Sequence, residues 1–205
     1  MQIAVLTFEG FNELDSFVAA AILNRMRPRG WAAHITSPTE RVSSMNGVTV
    51  ARQKPLGFAN EADAVVIGSG VKTREIAADA GLLSQIELDP ERQLIGAQCS
   101  GTLLLAKLGL LGDLPACTDV TTKPWAVEAG VNVIDAPFVA HRNVATAGGC
   151  LASQYLAGWM IARAASMDEA AEAINYVAPV GEKALYVERA TRVLAPFVMG
   201  VGVAA

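Results

Sequence analysis

Gln2–Thr7 is an unbroken apolar run rich in β-branched residues, the pattern of a strand buried on both faces. From Leu14 the apolar positions Phe17, Val18, Ala21, Ile22 and Met26 recur at helical spacing, predicting a helix that stops before Pro28. Trp31–Thr36 reads as a second strand. Pro38–Asn46 is polar, and Val48–Ala51 can pair back as a small hairpin. Asp63–Ile67 is a third buried strand, ending in Gly68-Ser69-Gly70. A helix follows from Thr73, broken at Gly81 and resuming to Leu88.

Gln93–Gln98 is the next strand, and a helix to about Leu111 follows it. Ala116–Thr118 reads as a short strand and Lys123–Gly130 as a short helix. Val131–Ile134, Phe138–Ala140 and Val144–Thr146 are further strand pieces, with His141-Arg142-Asn143 as the turn between the last two. Gly148-Gly149 opens a helix over Ser153–Ala165. Asp168 caps another to Val177, and Glu182–Leu194 is the last helix. The apolar, glycine-rich tail Pro196–Ala205 is expected to pack on the domain or on a partner subunit. Strands alternate with helices and the early strands are continuously apolar. The prediction is an α/β fold, a doubly wound and mostly parallel sheet with helices on both faces.

Composition narrows this to one domain, residues 1–205, with 52% apolar and only 18% charged residues, which excludes a disordered chain. The net charge of −4, with no basic run, gives no reason to expect nucleic acid or a membrane surface as partner. The start lacks a signal-peptide pattern, so the cytoplasm is the expected setting. Cys99, Cys117 and Cys150 are odd in number and without CxxC spacing. Neither a disulfide framework nor a metal site is expected, and no cofactor is implied.

Candidate chemistry concentrates at Ala97-Gln98-Cys99-Ser100-Gly101. An apolar strand ends at Cys99, small residues flank it by two on each side, and a strong helix former follows. This is the layout of a nucleophile elbow carrying a thiol. A thiol at a helix start meets the positive end of the dipole, which favours the thiolate. A buried cysteine at a strand end is the other reading, and the motif alone favours neither. Gly68-Ser69-Gly70 ends a strand expected beside that of Cys99. Its Gly70 N–H, with the Ser100 N–H, is a candidate anion hole. It lacks the continuation of a phosphate loop.

Asp15 falls in the first turn of the first helix, where an acid is ordinary. It is also the candidate carboxyl partner of Cys99, with Glu13 as rival. Burial beside the sulfur would raise its pKa and keep it protonated. Ser69, Thr102 and Asp119 are expected on the pocket wall. Only His34 and His141 exist, one mid-strand and one in a turn, so a Cys–His dyad has little support. Cys117 and Cys150 are expected to be structural. Trp31, Trp125 and Trp159 are expected in the core, with Trp125 able to wall a pocket.

The run from Ala97 to Leu111, together with the Gly68-Ser69-Gly70 turn and Thr146-Ala147-Gly148-Gly149, resembles the ThiJ/PfpI group, the DJ-1 superfamily, over residues 1 to about 165. The resemblance implies a flavodoxin-like, class I glutamine amidotransferase-like sandwich, a homodimer, and a reactive, oxidisable elbow cysteine. Phe11-Asn12-Glu13-Leu14-Asp15 aligns Asp15 with the acid that pairs with it. An aspartate there is similar to the isonitrile hydratase branch. Where other members carry a histidine after the elbow helix, this chain has Asp119. The implied activity is hydration of a small apolar electrophile, an isonitrile, to an N-substituted formamide. The alternatives are a glyoxalase or deglycase acting on dicarbonyls and a non-enzymatic redox sensor.

Overall fold

A computed structural model describes residues 1–198 of the chain. In chain order, β1 (Gln2–Leu6) leads to α1 (Glu13–Leu23), β2 (Ala32–Ser37), β3 (Arg41–Ser43), β4 (Thr49–Ala51) and β5 (Lys54–Pro55). Then come α2 (Phe58–Glu61), β6 (Ala64–Ile67), α3 (Thr73–Ala78), α4 (Ala80–Leu83), β7 (Leu94–Gln98) and α5 (Gly101–Lys107). The second half holds β8 (Pro115–Ala116), α6 (Lys123–Glu128), β9 (Asn132–Val133), β10 (Phe138–His141) and β11 (Val144–Ala147). It ends with α7 (Ser153–Ala164), α8 (Met167–Val177) and α9 (Lys183–Val198).

Seven strands form one sheet in the order β10-β11-β7-β6-β1-β2-β5. Every pairing is parallel except β10 with β11. Successive side chains point to opposite faces. Ile3 and Val5 therefore join the core under α1, α7, α8 and α9, with Ile22, Trp159, Met160 and Leu194. Ala4 and Leu6 join the opposite core, with Leu56, Ile95, Leu103, Leu104 and Ala126. Both faces are covered, as continuously apolar strands require. The order also sets β7, β6 and β1 side by side, so the chain leaving each strand emerges at one edge.

Several boundaries differ from expectation, each for a local reason. Past Leu23 the chain tightens into a 3₁₀ turn, Asn24–Arg29, that carries Pro28. The interruption after α3 falls at Asp79, whose side chain accepts the Leu82 N–H and starts α4, so Gly81 lies inside a helix that ends at Leu83. The helix after Cys99 stops at Lys107, and Gly109 turns the chain at φ 72°. Ser166, not Asp168, caps α8, through its hydroxyl on the Glu169 N–H. The expected strand at Ala116 pairs with β9 in a separate two-stranded sheet. β5 and α2 are too short to leave a periodic signal. Within the expected tail, Pro196–Val198 extend α9, while 199–205 lie outside the described residues.

Candidate active site

Cys99 occupies the tip of a sharp turn between β7 and α5, with φ 43°, a left-handed value that a side chain rarely adopts. The turn is held on three sides. The Cys99 N–H donates to the Ala147 carbonyl (2.8 Å), the Thr118 hydroxyl donates to the Cys99 carbonyl (2.7 Å), and the Thr102 N–H donates to the same oxygen (3.2 Å). Gly101 starts α5 where a Cβ would stand 2.7 Å from the Ile67 carbonyl and 2.9 Å from that of Gly68. Only glycine lets the helix start press against the end of β6.

Asp15 enters from the first turn of α1, whose cap is Asn12. It is fully buried. One carboxylate oxygen accepts the Ser69 hydroxyl, and the other accepts the Ser16 hydroxyl at 3.3 Å. The carboxylate, the Cys99 sulfur and the Cys150 sulfur lie within 4.8 Å of one another. Glu13 takes no part. It faces a groove with Leu14, Phe17 and Val177, and its own backbone N–H, the largest influence, holds its carboxyl below the usual value.

Ser100 is a strut rather than a free donor. Its Oγ accepts the Gly70 N–H (3.1 Å) and lies 2.8 Å from the Thr73 hydroxyl, which itself donates to the Gly70 carbonyl (2.8 Å). The expected pairing of the Gly70 and Ser100 N–H groups is thus replaced by a bond from Gly70 to the Ser100 side chain. The cavity at the thiol measures about 310 Å³ and has Met45, Val71 and Trp125 among its walls. Ser69, Gly70, Ser100 and Asp119 line it too. Asp119 spends its oxygens on the Thr121 and Thr122 N–H groups and the Thr122 hydroxyl, fixing the start of α6. Thr102 does not reach the cavity. Its buried hydroxyl donates to the Cys117 carbonyl at 2.7 Å, because it sits on the inward face of α5.

The electrostatics reverse the expected thiolate, and they bear out the direction expected of Asp15 but not its protonation: its pKa rises, yet not far enough to keep the acid neutral at pH 7. Burial pushes the Asp15 carboxyl up from 3.8 to about 6, opposed by the hydrogen bonds from Ser69, Ser16 and Cys99. Burial, followed by the charge of Asp15 and the neighbouring Cys150 and Asp119, raises the Cys99 thiol well above its ordinary value, with only the Gly149 N–H acting against it. Desolvation outweighs the helix start, so the resting sulfur at neutral pH is a thiol beside a carboxylate.

Cys150 is the residue the sequence reading misplaced. It is half-buried, lines the cavity, and accepts a hydrogen bond from the Asn12 amide at 3.1 Å. Its spacing of fifty-one residues from Cys99 carries no signal, because only the pairing of β11 with β7 brings the two turns together. Cys117 is fully buried, as expected of a structural cysteine. Trp31 and Trp159 are core residues, whereas Trp125 is half-buried and walls the cavity. His34 lies on β2 against Gln2 (3.1 Å) and His141 is exposed at the end of β10, both away from the thiol. Asp15, Cys99 and Cys150 are also the one donor set among the described residues with the spacing of metal ligands. Two thiols and a carboxylate suit a thiophilic cation, although the carboxylate is already engaged by Ser69 and Ser16.

Residues 1–163 match the DJ-1/PfpI family, four-fifths of the chain. The chain belongs to the DJ-1/PfpI family. The DJ-1/PfpI fold is repeated in solved structures. A THiJ/PfpI family protein from Pseudomonas syringae superposes with a TM-score of 0.76 at 21% identity, covering 95% of this chain and 87% of that one. A cysteine-to-alanine mutant of a DJ-1 superfamily protein from Salmonella typhimurium gives 0.73 at 23% identity, covering 86% and 97%. Schizosaccharomyces pombe DJ-1 gives 0.71 at 15% identity, covering 87% and 100%. No curated protein sequence matches this one. DJ-1/PfpI proteins often act as cysteine-dependent enzymes. Among the described residues, no helix is long and apolar enough to cross a membrane.

Proposed function

We propose that this DJ-1/PfpI protein hydrates isonitriles to N-substituted formamides, with Cys99 as nucleophile and Asp15 as the group that carries the proton. The observation behind this reading is the buried Asp15 carboxyl beside the Cys99 sulfur, in a small cavity with apolar walls and no histidine. Such a cavity favours an uncharged substrate.

The thiol proton passes to Asp15 as the sulfur bonds to the terminal carbon of R–N≡C. Asp15 returns that proton to the same carbon, leaving a thioimidate, R–N=CH–S–Cys99. Water then adds across the C=N bond, its oxygen to carbon and a proton to nitrogen through Asp15. Collapse of the adduct breaks the C–S bond, restores the thiol and releases R–NH–CHO. The Gly70 N–H is committed to Ser100, so the Ser100 N–H is the proposed donor to the water-derived oxygen. Asp15 needs a pKa near the working pH for this shuttle, and burial supplies it.

Formamide production from an alkyl isonitrile by the purified protein tests the reading, with Cys99→Ala expected to abolish turnover. Normal turnover by that variant overturns the mechanism. Lactate formed from methylglyoxal in a Cys99-dependent way, without isonitrile turnover, would replace it with glyoxalase-type chemistry. A single domain, a homodimer and a cytoplasmic setting are proposed with this reading.

A further inference from the structure

We propose that Cys99 and Cys150 form a reversible disulfide within one chain, Cys150 acting as the resolving thiol when Cys99 meets a hydroperoxide. The proposal rests on Cys99 being the reactive thiol and does not depend on isonitrile turnover.

The two sulfurs already lie within 4.8 Å of each other, and both thiols are free. A disulfide needs about 2 Å, so the approach required is under about 3 Å. Cys99 is pinned by its turn, so the approach falls to the Cys150 side chain. Cys150 follows Gly148-Gly149, where Gly149 has φ 92° and open space on the side a Cβ would fill. The Asn12 side chain accepts the Leu14 N–H (3.1 Å) and donates to the Cys150 sulfur, which aims that sulfur at the start of α1, toward Asp15 and the thiol. Both cysteines line the same cavity, so a small oxidant entering it reaches both. Cys117 has none of these features. It lies outside the cluster, with its N–H bonded to the Thr146 hydroxyl.

The chemistry balances with a hydroperoxide, ROOH, as oxidant. The Cys99 sulfur takes the distal oxygen. The O–O bond breaks, an S–O bond forms, and the thiol proton passes through Asp15 to the departing oxygen, giving ROH and Cys99–SOH. The Cys150 sulfur then attacks the Cys99 sulfur. The S–S bond forms, the S–O bond breaks, and hydroxide leaves with the Cys150 proton as water. Two thiols lose two electrons and two protons, and the hydroperoxide is reduced to ROH and water. The disulfide occupies the nucleophile and protects it from the irreversible sulfonic state.

The test treats the full-length protein with one equivalent of hydrogen peroxide, blocks remaining thiols by alkylation, and reads intact mass and peptide maps. The wild type is expected to lose two hydrogen atoms and two of its three alkylatable thiols, and to yield a peptide linking Cys99 to Cys150 within the monomer. A thiol reductant should restore all three. Cys150→Ser should lose the link and, with three equivalents of peroxide, gain two or three oxygens at Cys99 that the reductant does not remove. Cys117→Ser should keep the link. Oxygen added at Cys99 of the wild type without a link overturns the proposal. So does a link only between chains, or a Cys99 that peroxide leaves unchanged. The readout is mass alone, so a link formed by a protein that turns over no isonitrile overturns the proposed function and leaves this inference standing.

Discussion

The Ser69 hydroxyl donates to Oδ2 of Asp15 across a sequence separation of 54 residues, tying the turn after β6 to the first turn of α1. That bond favours the charged carboxylate, while burial favours the neutral acid, and burial prevails. The balance leaves Asp15 titrating at about 6, close enough to neutrality for proton transfer in both directions.

The pH profile follows from that value. Asp15 must be ionised to accept the thiol proton, so kcat/KM is expected to fall about tenfold per pH unit below about 6. An acid limb centred near 4 instead would show that Asp15 is not the proton acceptor. Stability runs the other way. Between pH 3.8 and about 6 the native state holds a proton that the unfolded chain has released, so the unfolding free energy falls as pH rises through that window. The loss is complete above about 6 and amounts to about 3 kcal/mol. Asp15→Asn should therefore raise the urea midpoint at pH 7, by up to that amount in free energy, and change it little near pH 4. Equal shifts at both pH values would count against a charged, buried Asp15.

Ser69→Ala removes the hydroxyl that holds Asp15 in its charged form. A hydrogen bond to a charged group is worth about 1.5–3 kcal/mol, so the acid limb should move up by about one to two pH units. Activity should return on the alkaline side, and Ser69→Thr should restore the original limb. A drop in kcat with an unmoved limb would make Ser69 a packing residue only.

Gly101→Ala places a methyl group against the Ile67 and Gly68 carbonyl oxygens. The backbone of β6 and the start of α5 cannot both stay in place. A destabilisation of about 1–3 kcal/mol is expected, read as a lowered denaturation midpoint. Loss of activity should accompany it, because the same turn carries Cys99. An unchanged midpoint would show that β6 and α5 are not pressed together at this point.

Legibility differed sharply between elements. The apolar runs of β1, β6 and β7 declared themselves because a strand buried on both faces leaves no polar gaps. The elbow declared itself because a strand, a tight turn and a helix must follow one another in sequence. β5 and α2 stayed hidden because two to four residues cannot display a period. Thr102 was misplaced because its inward orientation depends on where α5 sits, with Cys117 beneath it. Asp119 was found at the cavity, but its oxygens turned out to be spent on the start of α6.

The sequence by itself determined the α/β alternation, the strand ends that carry candidate chemistry, and the thiol at a helix start. Those are properties of contiguous stretches, and local periodicity records them. Tertiary structure alone decided the protonation state of that thiol, because desolvation and the Asp15 charge come from residues far away along the chain. It also decided that Cys150, expected to be structural, stands at the reactive sulfur. The pairing of β11 with β7 sets that juxtaposition, and a register between distant strands leaves no mark on either strand's own pattern.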